Sequence, residues 1–127
     1  MMRFGLVVGC GMLLAACGGD DTSTSGGGGT AGTTAENIAG MVSSADATNG
    51  DTIYQGLCGS SSCHGPNGND GQANAGDLPA TVPGLSDLEL ATLLVDGQGS
   101  MPPQVSSSGL SEEEAADVIA YCRQTFQ

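Results

Sequence analysis

Apolar and polar positions alternate with helical spacing in three stretches of this chain. In "LSEEEAADVIAYCRQTF", Ala115, Val118, Ile119 and Cys122 fall at i, i+3, i+4 and i+7, which predicts one apolar stripe on a helix. Ser111 followed by Glu114 is a capping box, and Glu112, Glu113 and Glu114 suit the positive end of the helix dipole. "SDLELATLLVDG" repeats the device: Ser86 and Glu89 cap it, Leu85 and Leu90 are placed for a hydrophobic staple, and Gly97 is placed to end it. A weaker pattern over Ala47 to Leu57 puts Ile53, Tyr54 and Leu57 on one side and runs straight into Cys58. No internal repeat is present.

Ahead of these lie two segments of different character. "MMRFGLVVGCGMLLAAC" carries one positive charge, Arg3, then an uncharged and mostly apolar run from Phe4 to Ala16, the pattern of a secretory signal. The run is shorter than the roughly 20 residues that a membrane span needs. Its end, "LAAC", resembles the lipobox of bacterial lipoproteins, which implies cleavage after residue 16 and a lipid on Cys17. Several acyl chains on one residue anchor a protein stably where a single chain holds only marginally. The expected product is exported to the periplasm or cell surface and held on a membrane. Gly18 instead of an aspartate after the cysteine favours the outer one. From 17 to 45 the chain is rich in Gly, Ser and Thr and reads as a flexible linker with end-to-end reach of roughly 30 Å, "ENIAGMV" forming at most a transient turn.

Charge narrows the partners. Fourteen carboxylates face two basic residues, and the chain's formal charge is −12. Loss of the leader removes Arg3 and leaves Arg123 as the only basic side chain. Such a surface repels phosphate backbones, which excludes nucleic acid and favours basic partners. The expected globular domain, 46–127, has three aromatic residues, Tyr54, Tyr121 and Phe126, and no tryptophan. A domain of about 80 residues gains little from its own core and commonly needs a staple. Something besides side chains is expected in its middle.

Two loops between the predicted helices each contain one good iron ligand. "CGSSSCH" places His64 directly after Cys63, and "GQGSMPPQ" places Met101 ahead of two prolines. An iron held by one imidazole and one thioether has no free position, so it passes electrons instead of binding oxygen. Taken singly, both residues are ambiguous, since methionine fills gaps well and a lone histidine is commonly structural. Met101 is the only methionine of the expected domain: Met1, Met2 and Met12 fall in the leader and Met41 in the linker.

The order of these features resembles class I c-type cytochromes over the whole domain. Gly50 and Tyr54 precede Cys58 where that family has a small residue and an aromatic on its first helix. Val118 and Tyr121 match the positions that pack against them, and "CHG", "GSMP" and "LSEEEAADVIAY" complete the likeness. The resemblance implies a small all-α fold of three main helices around one covalent haem c. It implies thioethers from Cys58 and Cys63, His64 as proximal and Met101 as distal iron ligand, and redox proteins as partners. It also implies a proline carbonyl, from Pro79 or Pro83, that orients the His64 ring. Haem attachment usually reads C-x-x-C-H, and here the spacer is four residues, Gly59, Ser60, Ser61 and Ser62, all small enough to bulge outward. Two alternatives stand beside this reading. One is a structural lipoprotein without cofactor, its Cys58 and Cys63 joined as a disulfide and Cys122 left as a buried hydrophobe or reactive spare. The other is a haem peroxidase or ligand sensor, which requires that Met101 not bind the iron.

Overall fold

A computed structural model describes residues 29–127, and expectations that fall on residues 1–28, including the leader and Cys17, lie outside them. Among the described residues there are six α-helices: α1 (Gly29–Met41), α2 (Ala47–Ile53), α3 (Leu78–Thr81), α4 (Asp87–Asp96), α5 (Gln104–Ser107) and α6 (Glu112–Thr125). Among the described residues the only β-type pairing is an isolated bridge between Gln98 and Met101.

The two strongest predictions have a direct physical basis in the structure. Ser86 Oγ accepts from the Glu89 amide at 3.2 Å while Glu89 Oε2 accepts from the Ser86 amide at 2.7 Å. Ser111 and Glu114 do the same for α6, at 3.1 and 2.9 Å. Each box satisfies donors that a helix start otherwise leaves unpaired. Helix α4 ends at Gly97, whose φ of 72° suits a residue without a Cβ. Helix α2 starts at Asp46, whose carboxylate accepts from Thr48 and Asn49 amides at 2.9 and 3.2 Å. It is shorter than the sequence pattern predicts. At Ile53 the α-helix gives way to a π-helical turn, Tyr54–Cys58, which delivers the chain to the first cysteine.

Helix α1 corrects the reading of residues 29–45 as linker. Ala35 and Ile38 are fully buried, in one cluster with Ala91 and Leu94 of α4 and Ala115, Ala116 and Ile119 of α6. Ala39, Met41 and Val42 pack against that cluster. Ala35, Ile38, Ala39 and Val42 fall at i, i+3, i+4 and i+7, so the stripe is in the sequence, hidden by a Gly/Thr-rich composition. Packing supplies the stability that the local propensities do not.

A second cluster lies on the other side of α6 and joins Tyr54, Val82, Val118, Cys122 and Phe126. Tyr54, Tyr121 and Phe126 form an aromatic trio with ring centroids 5.1 to 5.9 Å apart. Helices α2 and α6 approach here so closely that a Cβ on Gly50 would run into the Asp117 carbonyl. Asp117 also receives the Asp46 amide at 2.7 Å and the Asn49 side-chain amide at 2.8 Å, which fixes the register of the two helices. Arg123 braces the next wall, donating to Asp87 Oδ1 at 2.8 Å, the Val82 carbonyl at 2.7 Å and the Leu85 carbonyl at 2.5 Å.

Candidate functional site

Between the two clusters lies a cavity of about 510 Å³, and the helices bring all four candidate residues to its wall. Cys58 arrives at the end of the π-helical turn. The chain then folds back on itself: Cys63 and Gly65 amides both donate to the Ser60 carbonyl at 3.0 Å, and the His64 amide donates to the Cys58 carbonyl at 3.0 Å. Ser60, Ser61 and Ser62 stand exposed, so the long spacer bulges into solvent while its two ends stay together. Tyr54 Oη holds the turn from beneath by donating to the Gly65 carbonyl at 2.8 Å.

The His64 ring is oriented by a carbonyl, and that carbonyl belongs to a glycine. His64 Nδ1 lies 3.3 Å from the Gly76 oxygen. A carbonyl only accepts, so this bond requires the proton on Nδ1 and leaves the Nε2 lone pair free to bind a metal. Neither Pro79 nor Pro83, the two residues expected in this role, supplies the carbonyl. Pro79 is taken into α3 and Pro83 into the 3-10 turn Val82–Gly84 that follows it.

Met101 reaches the same cavity from a tight turn. Its amide donates to the Gln98 carbonyl at 2.9 Å and its carbonyl accepts from the Gln98 amide at 3.0 Å. The turn lies against Gly97, where a Cβ would collide with the Met101 carbonyl and come within 2.8 Å of the Pro103 nitrogen. Asn74 Nδ2 reaches Ser100 Oγ at 3.3 Å, tying the loop after His64 to the loop before Met101. Met41, placed by sequence in the linker, is part of the folded unit, but it lines a separate concavity of about 260 Å³ with Asp46, Glu113 and Asp117. Met101 is therefore the one methionine at the His64 cavity among the described residues.

The cavity wall is largely apolar, with neutral polar side chains among it. Leu90, Leu93, Leu94, Val118 and Ile119 form much of it, and no Asp, Glu, Lys or Arg lines it. Burial, with the Cys63 thiol a smaller cause, pushes the Cys58 thiol up to about 11. Burial followed by the nearness of Cys58 pushes Cys122 up to about 12, and burial likewise raises the Tyr54 phenol. These groups stay neutral at physiological pH. Among the described residues, Cys58, Cys63 and Cys122 are free thiols. Cys122 lies buried in the wall, a role that its apolar stripe position already implies.

A macrocycle with two thiol-reactive groups and an iron fits this donor set. Two thiols, an imidazole with one free nitrogen and a thioether share one apolar chamber, whose volume falls within the usual 300 to 1,000 Å³ range of ligand pockets, at about 510 Å³. Sequence reasoning missed Gly76, the Asn74 to Ser100 link and the buried Gln104. The first two depend on loop closure, and a glutamine after two prolines reads as surface.

The helical fold and this chamber are those of a small c-type cytochrome domain. Residues 45–122, more than half of the chain, match the model of the family described as cytochrome C oxidase, cbb3-type, subunit III, and the chain belongs to that family. As a cytochrome c domain it takes haem c, covalently bound, and serves haem-based electron transfer. No curated protein and no solved structure matches the chain. Among the described residues no helix is long and apolar enough to cross a membrane.

Proposed function

We propose that this protein is a lipid-anchored, monohaem electron carrier of the periplasm or cell surface. The observation that carries the proposal is the convergence of Cys58, Cys63, His64 and Met101 on one uncharged cavity. When bound, the haem supplies an iron that alternates between ferrous and ferric states and so holds one electron at a time. Cys58 and Cys63 would hold it covalently, as thioethers that take up the thiol hydrogens and need no other reactant. His64 would hold the iron through Nε2, its ring oriented by the Gly76 carbonyl. Met101 would hold the iron through its sulfur and leave it no open coordination position, which would make the protein a carrier instead of a peroxidase or ligand sensor. The leucines of α4 and the branched residues of α6 exclude water. Lipidation of Cys17, with residues between it and α1 as the tether, would hold the domain at a membrane, where redox proteins, basic ones favoured by the chain's charge, give and take the electron.

Expression of the full chain with a c-type maturation system, followed by a denaturing gel stained for haem peroxidase activity, tests the attachment. Only covalent haem survives that treatment, so a stained band at the mass of the chain is expected. A colourless product with Cys58 and Cys63 in a disulfide, while a control cytochrome matures, would favour the structural lipoprotein.

A further inference from the structure

We infer that Gln104 is a positioning residue that locks the Met101 loop in place, an inference that rests on Met101 as an iron ligand. Gln104 is the only buried polar side chain among the described residues, at 8% exposure. It follows Pro102 and Pro103, whose rings fix φ and which have no N–H to tie the backbone down. The soft dihedrals left in this segment are the ψ angles of Pro102 and Pro103, and turning that of Pro102 swings its carbonyl and displaces Met101 relative to α5. Gln104 Nε2 donates to that carbonyl at 2.7 Å. The other end of the amide is also committed, since Oε1 accepts from Ser108 Oγ at 2.9 Å, one turn along. The amide has one sensible orientation, because the Pro102 carbonyl can only accept and must face the N–H side.

Upstream, the Met101 turn is pinned by its two bonds to Gln98 and its seat on Gly97. Downstream, between Met101 and α5, the Gln104 amide makes the only side-chain hydrogen bond to the backbone among the described residues. Holding the loop matters because a thioether is a neutral, soft ligand, and any freedom of its backbone favours dissociation over rebinding. Gln104 lines the cavity beside Met101 and carries no charge, so it acts through the loop, not through the iron's electrostatics.

The test uses the ferric holoprotein at neutral pH and reads two quantities: the thioether-to-iron charge-transfer band, and the dissociation constant of azide, which must displace the sulfur. Three variants divide the roles. Gln104→Leu removes both hydrogen bonds, Gln104→Glu keeps the acceptor for Ser108 but loses the donated hydrogen, and Ser108→Ala removes only the bond that orients the amide. Azide is expected to bind on the order of tenfold more tightly to Gln104→Leu, the effect of one lost buried hydrogen bond, and Ser108→Ala is expected to show a smaller gain; Gln104→Glu, whose carboxylate also repels an anion, is read by a weakened charge-transfer band. In a Met101→Ala background, which has no sulfur to displace, Gln104→Leu should leave azide affinity unchanged; a general structural effect would persist there. If Gln104→Leu does not accumulate, Gln104→Glu and Ser108→Ala decide the matter. Absence of the band in the wild type would remove Met101 as a ligand and this inference with it. A wild-type band together with unaltered azide affinity in Gln104→Leu, or an unaltered band in Gln104→Glu, would overturn the role of Gln104 alone.

Discussion

Replacing Gly50 by alanine sets two opposing effects against each other at the crossing of α2 and α6. Alanine is the better helix former, by about 1 kcal/mol in a helix interior. Against that, the new methyl would overlap the Asp117 carbonyl and lie 2.5 Å from its carbon and 3.0 Å from Tyr121 Cβ. The obstacle is backbone, so no side-chain rotation relieves it, and the helices must part. A gap of about 1 Å already forfeits a quarter to a half of the dispersion well at each contact, and the Asp117 bonds to Asp46 and Asn49 stretch with it. Overpacking of this kind costs about 1–3 kcal/mol, and a backbone obstacle places it at the upper end. The net loss is about 2 kcal/mol, or a fall in Tm of roughly 8–16 °C for a domain of this size. Gly40 is the control: it lies in α1 with nothing within 4 Å of its would-be Cβ, so Gly40→Ala should instead gain about 0.5 kcal/mol. Denaturant unfolding of the two holoprotein variants, followed by far-UV circular dichroism, checks the opposite signs. A Gly50→Ala protein as stable as the wild type would refute the close crossing.

Met101→Ala should keep the covalent haem, lower the reduction potential, abolish the charge-transfer band and admit azide or peroxide; an unchanged spectrum and potential would show that another group holds the sixth position. His64→Ala should impair maturation itself, read as loss of haem-stained protein. Cys17→Ser should move the protein from the membrane to the soluble fraction, and a wild type found unlipidated by mass spectrometry would refute the anchor without touching the haem site. Electron transfer with a cationic redox protein should slow as salt rises, because exposed charges are screened over about 8 Å at physiological ionic strength. The slope should be shallow, since the carboxylates lie away from the cavity lining, and a rate indifferent to salt would leave them a role in solubility alone.

Features encoded within a few consecutive residues were legible. Both capping boxes appear in the structure at the residues that sequence assigns them, and the stripe of Ala115, Val118, Ile119 and Cys122 is buried throughout. Features that depend on a distant partner were not. Helix α1 has weak local propensity and earns its place by packing Ala35 and Ile38 against α4 and α6. The π-helical turn at Tyr54–Cys58 extends a pattern whose residues read as ordinary helix. At the site, His64 and Met101 stood out because few residues of this chain can bind iron, whereas Gly76 acts through a backbone carbonyl that any residue carries. Arg123 was legible only as the last basic residue. Its bonds to Val82, Leu85 and Asp87 bring together positions that are remote in sequence.

The same geometry ties stability to the cofactor. The cluster around α1, α4 and α6 is built largely of alanine, with Ala35, Ala91, Ala115 and Ala116 among its buried members, and such a core supplies little transfer energy per residue. Beside it lies a cavity of about 510 Å³ lined by larger apolar side chains. Left without haem, that apolar lining would stay exposed to water and forgo several kcal/mol at about 25 cal/mol per Å², a large share of the whole stability of a typical domain, about 5–15 kcal/mol. A chain that cannot attach haem must therefore collapse or loosen the walls formed by α4, α5 and α6. The Cys58→Ser, Cys63→Ser double variant should retain helical far-UV dichroism while losing its cooperative thermal transition and binding a dye specific for exposed apolar surface. A sharp, two-state transition in that haem-free variant would mean that the two hydrophobic clusters suffice on their own, and that the chamber is a rigid receptacle the fold maintains before the haem arrives.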